Sequence, residues 1–260
     1  MIYTLNKHIE SLVSMKHYPK ELYYKGNTEL LERKKISIVG SRKPNQYARQ
    51  LTHELAAKLA QANVCIVSGG AIGTDIIAHK AAGADNTIMV AGTGLDKCYP
   101  AINKNVIHQI EKYGLVLSQF QAGTPSQRYN FPLRNELIVA LGEVLIVMYA
   151  DENSGTMRSV EYARKMGKEI YVLPHRIGES CATNKLLEEG IAKAIYDIDS
   201  FIKKFGEYQT QEGDAFINFC RTNPSYEELL QKFPSRVFEA ELNGEIEVIN
   251  AKVSLSRFRG

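Results

Sequence analysis

The sequence predicts an α/β fold: an extended parallel sheet with helices on both faces, followed by a small C-terminal domain. Short β-branched runs recur at intervals of 23 to 28 residues, and most are separated by segments with helical spacing of apolar residues. The runs are almost continuously apolar, which is typical of strands that are buried on both faces of a parallel sheet. A chain of 260 residues suits one large α/β domain with a small appendage.

The elements follow in order along the chain. Residues 1–34 are polar, with Tyr and Leu scattered through them, and we expect a short N-terminal extension that is irregular or helical. Residues 35–207 are predicted to form a Rossmann-like domain. Its seven strands begin near Ile36, Val64, Thr87, Leu115, Glu143, Glu169 and Ala194. Its helical patterns cover Tyr47–Ala62, Ile76–Ala82, Val106–Tyr113, Leu133–Leu141 and Val160–Met166.

The last part of the chain has a different pattern. A polar stretch over 208–213 is typical of a linker, and three short helical patterns follow it, over Ala215–Arg221, Ser225–Phe233 and Val237–Leu242. An alternating stretch, EIEVINAKVSLS, then predicts a hairpin. Three helices and a hairpin predict a winged-helix-like domain over 214–260. Residues 213–260 hold 6 Lys/Arg and 7 Asp/Glu, and because a helix that reads duplex DNA should be basic, we expect this domain not to bind duplex DNA.

Composition argues against several classes of function. No apolar run approaches the length of a membrane span, and the N-terminus lacks the apolar region of a signal peptide. The four cysteines form no CxxC pair, so neither a zinc site nor a disulfide framework is indicated. None of the six histidines lies in HExxH or beside a serine in GxSxG. We therefore expect a cytoplasmic protein that is not an enzyme, holds no metal or cofactor and does not bind membranes.

Two glycine-rich turns follow the first two strands. The first strand ends in Gly40-Ser41-Arg42, with Lys43 next, and the second ends in Ser68-Gly69-Gly70 before a helical stretch. Neither turn has the GxGxxG or Walker A pattern. Helix N-termini attract anions, and Arg42 adds a bidentate phosphate donor. Because strand ends of this kind lie at the carboxyl edge of the sheet, the turns predict a phosphate site there.

Two further segments, each leading from a loop into a helix, predict binding groups at the same edge of the sheet. Arg128, Phe131, Arg134 and Asn135 surround the FPLRN segment, where cations can bind phosphates and the ring can stack on a base. A core position for Phe131 and a structural role for Arg134 remain open alternatives. The turn Asn153-Ser154-Gly155-Thr156 follows the fifth strand and offers hydroxyls at another helix N-terminus. Four such turns together predict one extended site.

Taken together, these motifs resemble the DNA-processing protein A family, also called DprA or Smf. The stretches that carry the resemblance are IVGSRKP at 38–44, VSGGAIGTDIIAH at 67–79, GTGLDKCYP at 92–100, FPLRNELI at 131–138 and SGTMRSVEYA at 154–163. IYVLP at 170–174 and TNKLLEEG at 183–190 complete the order. The similarity therefore spans about residues 36–195.

The resemblance implies a non-enzymatic mediator of natural transformation, which binds and protects incoming single-stranded DNA and loads the RecA recombinase onto it. It also implies a homodimer. From the family motifs and the chemistry beside them, we expect DNA contacts from Ser41, Arg42, Lys43, Ser68, Gly69, Gly70, Arg128, Phe131, Arg134, Asn135, Ser154, Gly155 and Thr156. The sequence departs from the family pattern at Glu136, where an arginine is usual. We expect Glu136 to weaken the positive field beside the pocket.

Two other functions remain open. NSGTMRSVE at 153–161 is similar to the PGGxGTxxE loop of lysine-decarboxylase-like phosphoribohydrolases, with Glu161 in the matching place. The leading Pro-Gly-Gly of that loop is absent, and a solvated helix charge is the simpler interpretation of Glu161. A scaffolding or nucleotide-sensing module would bind small nucleotides without turnover and without binding a polymer, and the sequence offers little in its favour.

Overall fold

The computed structural model describes residues 1–16, 18–152, 154–207, 215–220, 222, 224–242, 245–249 and 251–255. The chain divides into two compact units, Met1–Tyr208 and Gln209–Gly260. The predicted linker, 208–213, lies outside the described residues, as does Asn153. Among the described residues, no helix combines the length and the apolar character that a membrane crossing requires.

The first unit contains nine strands. They are β1 (Tyr3–Thr4), β2 (Tyr23–Gly26), β3 (Lys35–Val39), β4 (Cys65–Ser68), β5 (Thr87–Val90), β6 (Leu115–Ser118), β7 (Leu145–Val147), β8 (Ile170–Val172) and β9 (Lys193–Ala194). Its helices are α1 (Gln46–Gln61), α2 (Thr74–Ala82), α3 (Lys104–Tyr113), α4 (Asn130–Leu141), α5 (Thr156–Lys165), α6 (Cys181–Glu188) and α7 (Ile198–Ile202). All seven predicted strands and all five predicted helices of this region are present, so the α/β assignment is confirmed.

The strands form one sheet in the order β1-β2-β6-β5-β4-β3-β7-β8-β9. The seven strands from β6 to β9 are parallel, whereas β1 and β2 pair antiparallel at one end. Along the chain the sheet first grows from β3 to β6 on one side and then from β7 to β9 on the other. The direction therefore reverses between β3 and β7, where doubly wound sheets leave a crevice for ligands at the carboxyl ends of their strands.

Alternate side chains of the central strands enter two separate cores. Val39, Val67, Val90 and Val147 pack with α4, α5 and the N-terminal segment on one face. Ile38, Ile66 and Ile146 pack with α1, α2 and α7 on the other. Both faces are covered, which is why these strands show continuous apolar runs and no polar alternation.

The N-terminal segment differs from the expectation of an irregular or helical extension. It contains two 3-10 helices, Glu10–Ser14 and Thr28–Glu32, but its strand β2 also pairs with β6 over four residues and extends the sheet. The strands are short, and Tyr3 and Thr4 of β1 are both exposed. Half-exposed edge strands of this kind lack the apolar run by which a buried strand is recognised in sequence.

The second unit has the predicted set of elements. Helices α8 (Ala215–Cys220), α9 (Tyr226–Lys232) and α10 (Pro234–Leu242) precede the antiparallel pair β10 (Ile246–Ile249) and β11 (Lys252–Leu255). A capping box between Ser225 and Glu228 starts α9, and Phe216, Leu229 and Val253 contribute to a small separate core. The winged-helix-like identity of this unit stays a prediction.

Candidate functional site

A cavity of about 450 Å³ lies at the sheet edge where the strand order reverses. It is lined by four segments: the turn after β3, the segment that leads from β4 into α2, the first turns of α4 and the turn that leads from β7 into α5. The predicted residues that line it are Ser41, Arg42, Lys43, Phe131, Arg134, Asn135, Ser154, Gly155 and Thr156. Nine of the thirteen predicted DNA contacts therefore share one cavity.

A second, smaller cavity of about 110 Å³ adjoins the first and shares Arg42, Phe131 and Arg134 with it. Its other walls include Gly70 and Tyr99. The rings of Tyr99 and Phe131 are tilted by 38° with their centroids 5.7 Å apart. The site therefore combines a polar cavity with cations and a smaller cavity with an aromatic pair.

Arg134 forms the boundary between the two cavities. It is buried, and its Nη1 donates a hydrogen bond of 2.8 Å to the carbonyl oxygen of Val90 at the end of β5. The carboxylate of Asp75, in the first turn of α2, is also buried and interacts electrostatically with Arg134. Burial raises the pKa of Asp75, and the guanidinium opposes that shift. Arg134 thus has a structural role while it lines both cavities.

Gly69 permits the close approach of this pair. A Cβ atom at position 69 would overlap Nη1 of Arg134 and lie 2.5 Å from Oδ2 of Asp75. The adjacent carbonyls are also held in place. Nε2 of buried His79 lies 2.7 Å from the Gly69 oxygen, and Nδ2 of Asn103 donates to the Gly70 oxygen at 3.0 Å. The turn after β4 is therefore a fixed support for the guanidinium.

The turn after β3 is fixed in a similar way. The Ser41 carbonyl oxygen accepts hydrogen bonds from the N–H (3.2 Å) and the hydroxyl (3.1 Å) of Thr74, and the Ser41 N–H donates to the Tyr149 oxygen at 2.8 Å. Gly73 has φ +85°, and a Cβ there would lie 2.5 Å from the carbonyl oxygens of Ser41 and Arg42. Only glycine adopts this conformation at such close contact without strain.

Several polar groups at the cavity have no partner in the described part of the chain. Arg42 is exposed, and its side chain makes no hydrogen bond or ion pair there. The hydroxyls of Ser154 and Ser159 and Nε of Arg134 are buried without a hydrogen-bond partner. A buried polar group without a partner costs about 1–3 kcal/mol. The exposed guanidinium of Arg42 can bind an anionic ligand directly, whereas the three buried donors become accessible only if their side chains move.

The charge of the larger cavity is mixed but favours an anion. Arg42, Lys43 and Arg134 contribute three cations, against the carboxylates of Asp75 and Asp151. Asp75 is next to Arg134, so one of the two negative charges is already compensated. Among the described residues, no group of three or more His, Cys, Asp or Glu side chains gathers as a metal site would require.

A family model described as DNA recombination-mediator protein A matches residues 1–206. The chain belongs to this family. It is 32% identical over 203 residues to the DNA processing protein DprA of Bacillus subtilis, covering 76% of this chain and 68% of that protein. It is 36% identical over 163 residues to the protein Smf of Synechocystis, covering 60% of this chain and 41% of that one.

Two solved structures of the family are similar to this chain. A structure that addresses the single-stranded DNA binding mode of DNA processing protein A from Helicobacter pylori shares 41% identity and a TM-score of 0.76, over 78% of this chain and 94% of that one. The X-ray structure of DprA from Streptococcus pneumoniae shares 31% identity and a TM-score of 0.72, over 80% and 75% of the two chains. Both share the Rossmann-like fold.

Some of the family-derived expectations are not matched by the placement of the side chains. Ser68 is fully buried, and its hydroxyl donates to the Ile38 oxygen at 2.6 Å. It therefore supports the turn after β4 from the interior of the protein. Gly69 also lies behind the cavity surface, next to Arg134. Arg128 is exposed but lines neither cavity. For Ser68 and Gly69, a supporting role fits the structure better than direct contact with DNA.

Two acidic residues lie outside both cavities. Glu136 lines neither cavity, because its buried side chain accepts the N–H of Lys16 at 2.9 Å, and the expectation that it weakens the positive field at the pocket stays a prediction. Glu161 is exposed on α5 and lines neither cavity, so nothing at the site matches its role in a phosphoribohydrolase.

Sequence reasoning missed several residues that build the site. Tyr99 lies in an irregular loop after β5, and only its place in the GTGLDKCYP stretch could have drawn attention to it. His79 and Asn103 act through backbone carbonyls of the turn after β4, at separations of 10 and 33 residues. No local pattern reveals hydrogen bonds of this range.

Proposed function

We propose that the chain is a sequence-tolerant single-stranded DNA-binding protein without catalytic activity. The observation that carries this proposal is the pair of adjoining cavities, in which three cations and unpartnered hydroxyls adjoin an aromatic pair. Phosphates match the cations and hydroxyls, whereas a base matches the rings of Tyr99 and Phe131. Membership of the family supports the same conclusion.

The structure of the cavities favours a single strand over a duplex. Burial of Arg134 means that a ligand must enter the cavity to reach it, and the smaller cavity has room for little more than one ring system. Bases in a duplex are stacked and paired, so they cannot contact Phe131 without first being unpaired. Phosphate contacts carry no sequence information, and stacking accepts every base. These features support binding that does not depend on the base sequence of the DNA.

Membership of the family suggests a more specific biological role. We propose that the protein acts in natural transformation, where it protects incoming single-stranded DNA and loads the RecA recombinase onto it. We also propose that it is a cytoplasmic homodimer that requires no cofactor. Light scattering on the purified chain tests the dimer, and a strand-exchange assay with RecA, in which a single-strand-binding protein covers the DNA first, tests the loading.

Fluorescence anisotropy tests DNA binding itself. The probes are a labelled oligothymidylate, a mixed-sequence strand of the same length and the matched duplex, each titrated at low and moderate salt. The proposal predicts similar affinity for the two single strands, weaker binding to the duplex and affinity that falls as salt rises, because phosphate contacts release counterions. Binding only to free mononucleotides, or preference for the duplex, would contradict it.

A further inference from the structure

A third cavity, of about 580 Å³, lies at the same edge of the sheet and plays no part in the site described above. Asn45 and Tyr47 contribute to it from the start of α1, and His175 and Arg176 from the loop after β8. Lys43 lines the larger cavity and Asn45 lines this one, so Pro44 alone separates the two cavities along the chain. We call it the Tyr47–His175 cavity.

Aromatic rings form one wall of the Tyr47–His175 cavity. The rings of Tyr47 and His175 are nearly perpendicular, with centroids 5.4 Å apart, and His175 packs against Tyr149 in the same way at 5.3 Å. Because a carbonyl oxygen can only accept, Nε2 of His175 carries the hydrogen that is donated to the Met148 oxygen at 2.9 Å. His175 is thereby held in place, while Tyr47 keeps 44% of its surface exposed. Tyr47, an accessible ring that packs against the anchored His175, can stack on a base.

The remaining walls are also preformed. Asn45 caps α1 by accepting the Ala48 N–H at 2.8 Å, and its amide donates to Oε2 of Glu179 at 3.0 Å. Asn184 accepts the N–H of His175 at 3.1 Å and donates to the His175 oxygen at 3.2 Å. Hydrogen bonds therefore fix both sides of the cavity, so a ligand would not have to order them on binding.

A cation is available beside the rings. Arg176 is exposed, and within the described residues its guanidinium forms no ion pair. Glu179 is the carboxylate that lines the cavity, and one of its oxygens already accepts the Asn45 amide. An anionic group entering the cavity therefore has the exposed guanidinium of Arg176 to bind.

We propose that the Tyr47–His175 cavity is a second nucleotide subsite, in which a base stacks on Tyr47 and Arg176 binds a phosphate of the same strand. The proposal rests on the proposed function. Lys43 and Asn45 are two positions apart, so their Cα atoms are at most about 7 Å apart, and stacked nucleotides advance by about 3.4 Å each. A strand whose phosphates occupy the larger cavity therefore reaches Tyr47 within a few nucleotides.

The test compares oligothymidylates of about 4 and about 16 nucleotides by anisotropy. The variants are Tyr47→Ala and Arg176→Ala. The matched control is Tyr113→Ala, because Tyr113 is similarly exposed but lies at the last residue of α3, at the opposite edge of the sheet. We expect both site variants to weaken binding of the longer strand about tenfold and to leave the shorter strand and the control unchanged.

A second measurement needs no variant and is independent of folding defects. The full chain is irradiated with a strand that carries one 5-iodouracil at successive positions, and the cross-linked peptide is identified by mass spectrometry. We expect one position of the strand to cross-link to Phe131 or Tyr99. A second position, a few nucleotides away, should cross-link to Tyr47. Absence of any cross-link to Tyr47 from a strand that does bind would overturn the proposal.

The outcomes separate this proposal from the proposed function. If wild type binds both strands and Tyr47→Ala binds the longer one equally well, the subsite is wrong and the main site stands. Equal weakening of both strands by Tyr47→Ala would also overturn it, because Tyr47 would then act through the main cavities. If wild type binds neither strand, the proposed function fails and the subsite fails with it.

Discussion

At the scale of single residues, the site depends on a buried charge pair and on the glycine beside it. Arg134 and Asp75 are both removed from solvent, and Gly69 leaves them the space to approach each other. Breaking a buried pair is far more costly than losing an exposed one, because the remaining charge is left without compensation. The buried pair thus holds the guanidinium in place where Arg134 lines the two cavities.

Gly69→Ala is expected to destabilise the protein and to weaken single-stranded DNA binding. The new methyl group would displace Arg134 and Asp75, and overpacking of this kind costs about 1–3 kcal/mol. The matched control is Gly155→Ala, where a Cβ meets nothing within 4 Å. Urea denaturation should show a lower midpoint for the first variant alone. Equal stability of both variants would show that the space at Gly69 is not limiting.

His79 is expected to make stability sensitive to pH. Burial lowers its pKa to about 4, below the ordinary value of 6.5, so the folded protein favours the neutral ring. Its stabilising contribution is therefore fully present above about pH 6.5 and is lost as pH falls towards 4. The predicted loss is about 3 kcal/mol.

The control for this prediction is His79→Gln, whose amide can still donate to the Gly69 oxygen but does not titrate. Denaturation midpoints of both proteins are measured across the same pH range. Because Asp75 and the other acids are common to the two, the difference in their pH dependence reports His79. Parallel curves would contradict the prediction.

The predictability of these residues differs for a physical reason. Arg42 and Ser154 lie in turns after strands, and a strand end is visible in sequence as the close of an apolar run, whereas Arg134 lies where a loop enters a helix. The contribution of Tyr99 and the placement of Glu136 were not foreseen, because a side chain's direction depends on packing between distant segments, here Phe131 for the tyrosine and Lys16 for the glutamate. The chemical character of the residues at the turns was therefore predictable from the sequence, whereas the directions of side chains were not.

At the scale of elements, α4 carries the functional residues at one end and is anchored at both. Asn130, at its first residue, donates to the oxygens of Gly92 (3.0 Å) and Pro125 (3.1 Å). At the other end, Nζ of Lys168 donates to the carbonyl oxygens of Val139, Ala140 and Gly142. A cation that satisfies the last carbonyls of a helix also interacts favourably with the helix dipole.

Lys168→Met is expected to lower the free energy of unfolding by about 1–3 kcal/mol, because buried carbonyls lose a charged donor. Lys165→Met, at an exposed position at the end of α5, should change it by about 0.5 kcal/mol or less. Neither variant should alter DNA affinity, since Lys168 lies at the opposite end of α4 from the cavities. A stability unchanged by Lys168→Met would contradict the anchoring role.

The elements themselves were largely predictable because a buried parallel sheet imposes long apolar runs at regular spacing. β3 to β8 obey this rule, and they and the short edge strand β9 all begin within two residues of their predicted positions. β1 and β2 were missed since they are short and their tyrosines remain partly exposed. The pairing of β2 with β6 is a tertiary contact across about ninety residues, which local patterns do not encode.

At the scale of the whole molecule, the residues proposed to bind DNA all lie in the first unit. The fragment 1–208 should therefore bind single-stranded DNA with the affinity of the full chain and should not gain affinity for duplex. Anisotropy on both proteins, with circular dichroism to verify that the fragment is folded, checks this. A folded fragment whose affinity falls about tenfold or more would show that residues 209–260 contribute to binding.

The central claim is that the cavity beside the turn after β3 binds the phosphates of single-stranded DNA. The most direct measurement is the salt dependence of oligothymidylate binding by wild type, Arg42→Ala and Lys80→Ala, where Lys80 is an exposed cation in the last turn of α2. The account predicts weaker binding by Arg42→Ala, with a slope of log K against log salt reduced by about 0.7, and wild-type behaviour for Lys80→Ala. Equal behaviour of the two variants would contradict it.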